Sequence, residues 1–239
     1  KRNEMGIVLK RRDNAPIVKD IYGGVIDILM KEKDIVKAVN FVHTCLKELI
    51  KGNIPIEKLI ITKSLRSFYK NPQGVAHKVL ADRIGVREPG NKPTSGDRVP
   101  YVYFVNKQEK KGIKMLQGDK IESPAFITDN NLPINYGFYI SNQIMNPLLQ
   151  LFGLVLEEMW QLSKIRQLGK VATFKRQVES IKSELTDPTK IDAKINKLKD
   201  KEVKLLLFQK YLTKMDNIRD GNQEIDVFFG KKQKKSITI

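Results

Sequence analysis

Between Val25 and Lys51 apolar residues return every three or four positions: Ile28, Leu29, Ile35, Val36, Val39, Val42, Leu46, Leu49 and Ile50. That spacing lays one apolar stripe along a helix. A polar break at Lys31–Lys33 divides it, Asp34 is placed to cap the second half, and Gly52-Asn53 ends it. Gly6–Leu9 reads instead as a short strand, followed by a turn from Lys10 to Pro16. Leu59–Thr62 is a second strand. Asn71-Pro72 then opens a helix through Val75, Val79, Leu80 and Ile84, ended by Gly85. Pro89, Gly90, Pro93 and Gly96 make the next stretch a structured loop. Val99–Val105 is the strongest strand, β-branched and aromatic, with Pro100 near its start. After a basic turn, a loop is expected to about Pro133. Tyr136–Ile144 and Leu148–Leu168 read as helices, the second apolar on several faces and therefore buried. From Lys170 to Arg219 a charge-laced helical period breaks at Asp187-Pro188, which predicts a helical hairpin. Residues 222–239 read as an extended tail. The sum is an α+β fold, predominantly helical, with a few short strands.

Charge sharpens this picture. The 239 residues carry 44 Lys+Arg against 27 Asp+Glu, a net charge of +17. Such a field repels itself in a compact chain and is usually put to use. Nucleic acid is the first partner it suggests, because Lys and Arg displace counterions from phosphates. An anionic membrane surface is second, and a lysine-rich solvated surface is the bland alternative. Hydrophobic residues make up 41%, enough to fill a core and too many for disorder throughout. No apolar run approaches the roughly 18 residues of a membrane span, so no membrane partner is expected. The single cysteine, Cys45, excludes an internal disulfide framework and a cysteine-rich zinc site, and fits a reducing, intracellular setting. The chain opens on Lys1 rather than Met, which predicts a start inside a longer product.

Catalytic signatures are missing from these residues. There is no Walker A loop, nucleophile elbow or zinc-protease helix, and no close pair of candidate catalytic carboxylates. The histidines, His43 and His77, lie in different segments. His43 and Cys45 are two residues apart and diverge on a helix, so they make no nucleophilic pair. Neither a catalytic residue nor a metal ligand is assigned.

The informative stretch lies between Ile60 and Phe104: Ile61-Thr62-Lys63-Ser64-Leu65, Tyr69-Lys70-Asn71-Pro72, Ala76-His77-Lys78-Val79-Leu80-Ala81, Pro89-Gly90-Asn91-Lys92-Pro93 and Gly96-Asp97-Arg98-Val99-Pro100-Tyr101-Val102. It resembles the C-terminal part of family B DNA polymerases, where the catalytic palm leads into the thumb. Upstream, Lys10-Arg11-Arg12-Asp13-Asn14-Ala15-Pro16 resembles the arginine-rich turn after the palm's lysine-tyrosine motif. Downstream, Asn131–Tyr136, Tyr139, Asn142-Gln143 and Pro147-Leu148-Leu149 resemble the thumb helix. The likeness covers residues 6–160 or so, and is strongest to the delta-like polymerases of large DNA viruses. It implies four parts: a palm edge over 1–22, a thumb over 23–168, a helical hairpin insertion over 169–220 and a mobile basic tail over 221–239.

The family's catalytic aspartates, in a Tyr-Gly-Asp-Thr-Asp-Ser loop and an Asp-x-x-Ser-Leu-Tyr-Pro segment, are not among these residues. Nor are its finger helix and exonuclease carboxylates. Two-metal phosphoryl transfer needs such carboxylates to hold the ions. The resemblance therefore implies a portion of a nucleotidyltransferase that is inactive alone, with Mg2+ held by residues upstream in a full-length polymerase. What it does imply here is grip on the primer–template duplex, through donors aimed at phosphates rather than base edges. The candidates are Lys10, Arg11, Arg12, Lys63, Ser64, Arg66, Lys70, Asn71, His77, Lys78, Lys92, Arg98 and Tyr101. Asp97 is placed to orient Arg98, and at least one of Tyr101 and Tyr103 is expected to pack on a thumb helix.

The tail carries a second resemblance. Asn222-Gln223-Glu224-Ile225-Asp226-Val227-Phe228-Phe229 looks like the sliding-clamp box, with Asn222 where that box has glutamine and Ile225, Phe228 and Phe229 as apolar anchors. Clamp binding is one reading, and packing of the two Phe back on the thumb is the other. The rival to a polymerase thumb is a stand-alone basic module that tethers a clamp. The rest of a polymerase chain is an expected partner, at the nucleus or at a cytoplasmic viral replication site.

Overall fold

A computed structural model describes residues 7–106, 115–161 and 168–219. The first element corrects the sequence reading: Ile7–Lys10 is a single helical turn, α1, packed against the next helix. Three apolar residues are too few to fix a period, so tertiary contact decides between strand and helix. Pro16, whose ring suits a first helical position, opens α2 (Pro16–Asp27), well ahead of the expected start at Val25. Ile17, Val18, Ile21 and Val25 face the core. A π turn over Ile28–Glu32 ends at Lys33 in the left-handed region, φ 55°. Asp34 then caps α3 (Ile35–Ile50) as expected, accepting from the Lys37 N–H at 2.8 Å. Gly52 ends the run at φ +77°, and a Cβ there would sit 3.1 Å from the Tyr136 hydroxyl.

Three antiparallel strands form one sheet in the order β1 (Ile61–Ser64), β2 (Arg98–Tyr103), β3 (Ile121–Glu122). Ile61 pairs with Tyr101, Ser64 with Arg98, and Val102 with Glu122. Pro100 lacks a ladder donor, but β3 pairs only with Val102 and Tyr103, so β2 is an edge at that point. Between β1 and β2 lies α4 (Ala76–Arg87), preceded by a 3-10 turn at Pro72–Gly74. The helix does not stop at Gly85. A Cβ there would come within 2.6 Å of the Lys92 side chain, so this glycine serves a close approach rather than a cap.

The stretch to Pro133 is not a plain loop. It holds β3 and α5 (Pro124–Asp129), whose Ser123 cap accepts from the Phe126 N–H at 3.4 Å. Glu122, 3% exposed, explains the placement. Its carboxylate takes Arg83 Nη1 at 2.8 Å, Arg87 Nη2 at 2.9 Å and the Ser123 N–H at 2.9 Å. Arg83 also donates to the Gly118 carbonyl at 2.6 Å, and Arg87 lies over the Phe126 ring at 4.0 Å. A buried carboxylate thus locks α4 to β3 and α5.

The second half is helical: α6 (Tyr136–Phe138), a π turn to Ile144, α7 (Met145–Gly153), α8 (Leu156–Gln161), α9 (Leu168–Glu184), α10 (Pro188–Val203) and, after a π turn, α11 (Gln209–Arg219). Tyr139 is fully buried; its hydroxyl donates to the Leu59 carbonyl at 2.7 Å and accepts from the Tyr103 N–H at 3.2 Å. Gln143 accepts from the Ala15 N–H at 3.3 Å, tying the π turn to the segment before α2. Asp187 caps α10 by accepting from the Thr189 N–H at 2.9 Å. α10 packs on α7, and Val203, Leu207, Phe208 and Tyr211 are buried in the same core as α2, α3 and the sheet. The Tyr211 hydroxyl lies 3.1 Å from His43 Nδ1 and donates to the His43 carbonyl at 3.2 Å. Burial first, and then Lys210 and Lys47, push the His43 pKa down to about 4. Among the described residues no helix is long and apolar enough to cross a membrane.

Candidate nucleic-acid interface

A cleft of about 570 Å³ opens where the turn after α1, β1, the loop after β1, the start of α4 and the start of β2 meet. Arg12, Asp13, Thr62, Lys63, Ser64, Arg66, Tyr69, Val75, His77 and Arg98 line it. So Arg12, Lys63, Ser64, Arg66, His77 and Arg98, far apart in sequence, share one concavity.

Arg98 is its keystone. Antiparallel pairing sets Arg98 opposite Ser64, with Thr62 two residues away on the same face of β1. Its guanidinium donates to Ser64 Oγ at 3.2 Å, Thr62 Oγ1 at 2.7 Å, the Thr62 carbonyl at 2.8 Å and the Arg12 carbonyl at 3.2 Å. Thr62 Oγ1 donates to that same Arg12 carbonyl at 3.3 Å. The fork thus spends its donors on the protein, and the cations it leaves facing water are Arg12, Lys63 and Arg66, all exposed. Asp97 does not orient Arg98. Its carboxylate accepts from the Thr94 N–H at 2.8 Å and Thr94 Oγ1 at 2.9 Å, which closes the preceding turn and holds the carboxyl below its usual range.

The loop beyond β1 is fixed by Tyr69, whose hydroxyl accepts from the Arg66 N–H at 2.8 Å and meets His77 Nε2 at 3.1 Å. Burial lowers the His77 pKa, with Lys63 and Arg66 adding to the effect against a hydrogen bond at the Ser64 backbone. His77 is therefore a neutral hydrogen-bonding group near pH 7, not another cation. Asn71 accepts from the Gly74 N–H at 3.3 Å, so its oxygen is used to close the 3-10 turn. The helix N-terminus that reaches the cleft is that of α4, through Val75 and His77.

The other candidates lie apart from the cleft lining. Lys10 and Lys70 are exposed, and Arg11 pairs with Asp13 at 3.4 Å. Lys78 sits on both Asp82 oxygens at 2.5 and 2.6 Å, and Lys92 approaches the same carboxylate at 3.6 Å. Tyr101 corrects the sequence reading: it is 4% exposed, edge-on to Tyr103 at 6.0 Å, and burial raises its phenol. Ile61 and Tyr101 pair inward, so the strand register takes this ring to the core instead of to a phosphate. Asn222, Ile225, Phe228 and Phe229 lie outside the described residues. Sequence reasoning missed Thr62 and Asp82 as partners of the basic side chains. A threonine and a serine on either side of Lys63 in a strand were the available signal for the first, and the i,i+4 spacing from Lys78 for the second.

Among the described residues no group of three or more His, Cys, Asp or Glu is placed to hold a metal ion. The carboxylates of the described residues do not fit the Mg2+ pair of a nucleotidyl transfer site.

Comparison with known proteins identifies the family. The model for DNA polymerase family B matches residues 1–155. The DNA polymerase of Pyramimonas orientalis virus is 46% identical over 231 residues, 96% of this chain and 18% of that protein. The DNA polymerase of Acanthamoeba polyphaga mimivirus is 52% identical over 154 residues, 64% of this chain and 9% of that protein. The DNA polymerase delta catalytic subunit of Candida albicans is 34% identical over 159 residues, 66% of this chain and 14% of that protein. The chain thus spans less than a fifth of each of these relatives, and the Pyramimonas orientalis virus match runs on through most of the helical hairpin. With a family model over most of its length and viral and delta-type relatives on either side, the chain belongs to DNA polymerase family B.

Proposed function

We propose that this chain grips the primer–template duplex for a replicative DNA polymerase. The observation that carries the reading is the convergence of Arg12, Lys63 and Arg66 on one cleft whose backbone Arg98 holds in place. Exposed cations on a fixed scaffold neutralise phosphates without reading sequence. The N-terminus of α4 beside them, which no side chain caps, adds a partial positive charge that favours an anion. Lys10 and Lys70 extend the same basic surface along the duplex. Template-directed synthesis, with Mg2+, belongs to the longer polymerase of which this is the non-catalytic part.

Binding of the 239-residue chain to blunt duplexes of unrelated sequence tests this. With about six phosphate contacts, log affinity falls against log salt with a slope on the order of −5. A flat dependence, or preference for one sequence, overturns the reading. Primer extension by the isolated chain with magnesium and nucleotides would show that catalytic groups are present after all.

The tail box of Asn222, Ile225, Phe228 and Phe229 supports a second partner, a sliding clamp. Removing residues 222–239 then abolishes clamp binding and leaves duplex binding intact. Loss of duplex binding alone would favour a basic-tail module.

A further inference from the structure

Phe68 is 79% exposed, although the loop that carries it is fixed on both sides. Before it, Leu65 is buried at 6% and its N–H donates to the Asp97 carbonyl at 2.8 Å. After it, Tyr69 holds the Arg66 N–H and His77, and Asn71 closes the next turn. The ring is thus held in water by the same ordered loop that carries Arg66 and Tyr69 into the lining of the basic cleft. An isolated exposed apolar side chain is ordinary in itself. Here its neighbours in sequence are Arg66, Tyr69 and Lys70, and both flanking cations are exposed. An aromatic face set between cations is the arrangement that binds single-stranded nucleic acid: the charges hold successive phosphates and the ring stacks on a base.

We propose that Phe68 is a stacking platform for an unpaired DNA base next to the gripped duplex. A base inside the duplex has both faces covered by its neighbours, whereas an unpaired base has a face to offer. The ligand is therefore the single-stranded stretch of a primer–template, its phosphates on Arg66 and Lys70. This rests on the reading of the cleft as a phosphate-binding surface and adds a contact that charge does not supply.

The test compares a blunt duplex with the same duplex carrying a single-stranded overhang, using the full chain and its Phe68→Ala, Phe68→Leu and Phe68→Trp variants. Because the side chain is exposed, the variants fold, and circular dichroism checks it. Phe68→Ala and Phe68→Leu weaken overhang binding about tenfold, leave blunt-duplex binding unchanged and leave the salt slope unchanged. The tryptophan of Phe68→Trp is quenched by the overhang substrate and not by the blunt one. Equal loss on both substrates, no loss on either, or rescue by leucine overturns the stacking role while duplex binding stands. A chain that binds neither substrate overturns the phosphate-binding reading as well.

Discussion

Arg98 Nη2 donates to the backbone carbonyl of Arg12, 3.2 Å away, so one basic residue is held by the main chain of another. The charge of Arg12 is left free while its backbone is fixed. In the proposed duplex grip Arg98 is thus a positioning residue, acting through this geometry.

Arg98→Lys is the variant that isolates the effect. Lysine keeps the charge but loses the fork that reaches Thr62, Ser64 and Arg12 together. Duplex affinity should fall several-fold with the salt slope unchanged, and stability should drop by about 1 kcal/mol. Parallel salt titrations and urea melts of both chains check this.

Free and paired lysines should behave differently. Lys63→Ala and Arg66→Ala each remove an exposed cation from the cleft and should reduce the salt slope by roughly 0.9. Lys78→Ala removes a cation already bound to Asp82, and should change the slope by less. Asp82→Asn should strengthen binding, because it frees Lys78 and Lys92. An equal effect for Lys63 and Lys78 would mean that the Asp82 pair opens when DNA arrives.

Glu122 should matter for folding alone. Glu122→Ala leaves the guanidinium groups of Arg83 and Arg87 without their buried partner, at a cost of about 3 kcal/mol. The urea midpoint shifts down with an unchanged dependence on denaturant. Duplex affinity per folded molecule stays the same.

Acid should destabilise the chain through His43. Its folded pKa is about 4, against an ordinary 6.5, so the unfolded state binds the proton first as pH falls. Stability is at its full value above pH 6.5 or so and declines from there down to about 4. His77, also lowered, adds in the same direction. His43→Gln, which still offers Tyr211 a polar partner, should flatten this part of the profile in melts taken from pH 7 to 4.

The sequence was most legible where the signal was local. Asp34 before an apolar run is enough to place a helix start, and Asp187-Pro188 enough to place the hairpin turn. It was least legible where distant residues decide. β3 is two residues long and exists because Glu122 is held from α4; no window around Ile121 contains that. Gly85 looks like a stop until Lys92 folds over it. The cleft was legible as a set of basic residues, since each stands in a family motif. Which of them are free was not, because Asp82, Thr62 and Arg98 settle that across the fold. Tyr101 shows the limit of reading chemistry from residue type: the same phenol suits a phosphate or a core, and register chose the core.

Phe208 and Tyr211 close the floor of the core beneath α3 and α7. The hairpin that brings them is consequently part of the folding unit and not an appendage to it. Cut away, it would uncover the part of α7 on which α10 packs. The folding unit therefore runs at least to Tyr211, although the family match ends at residue 155.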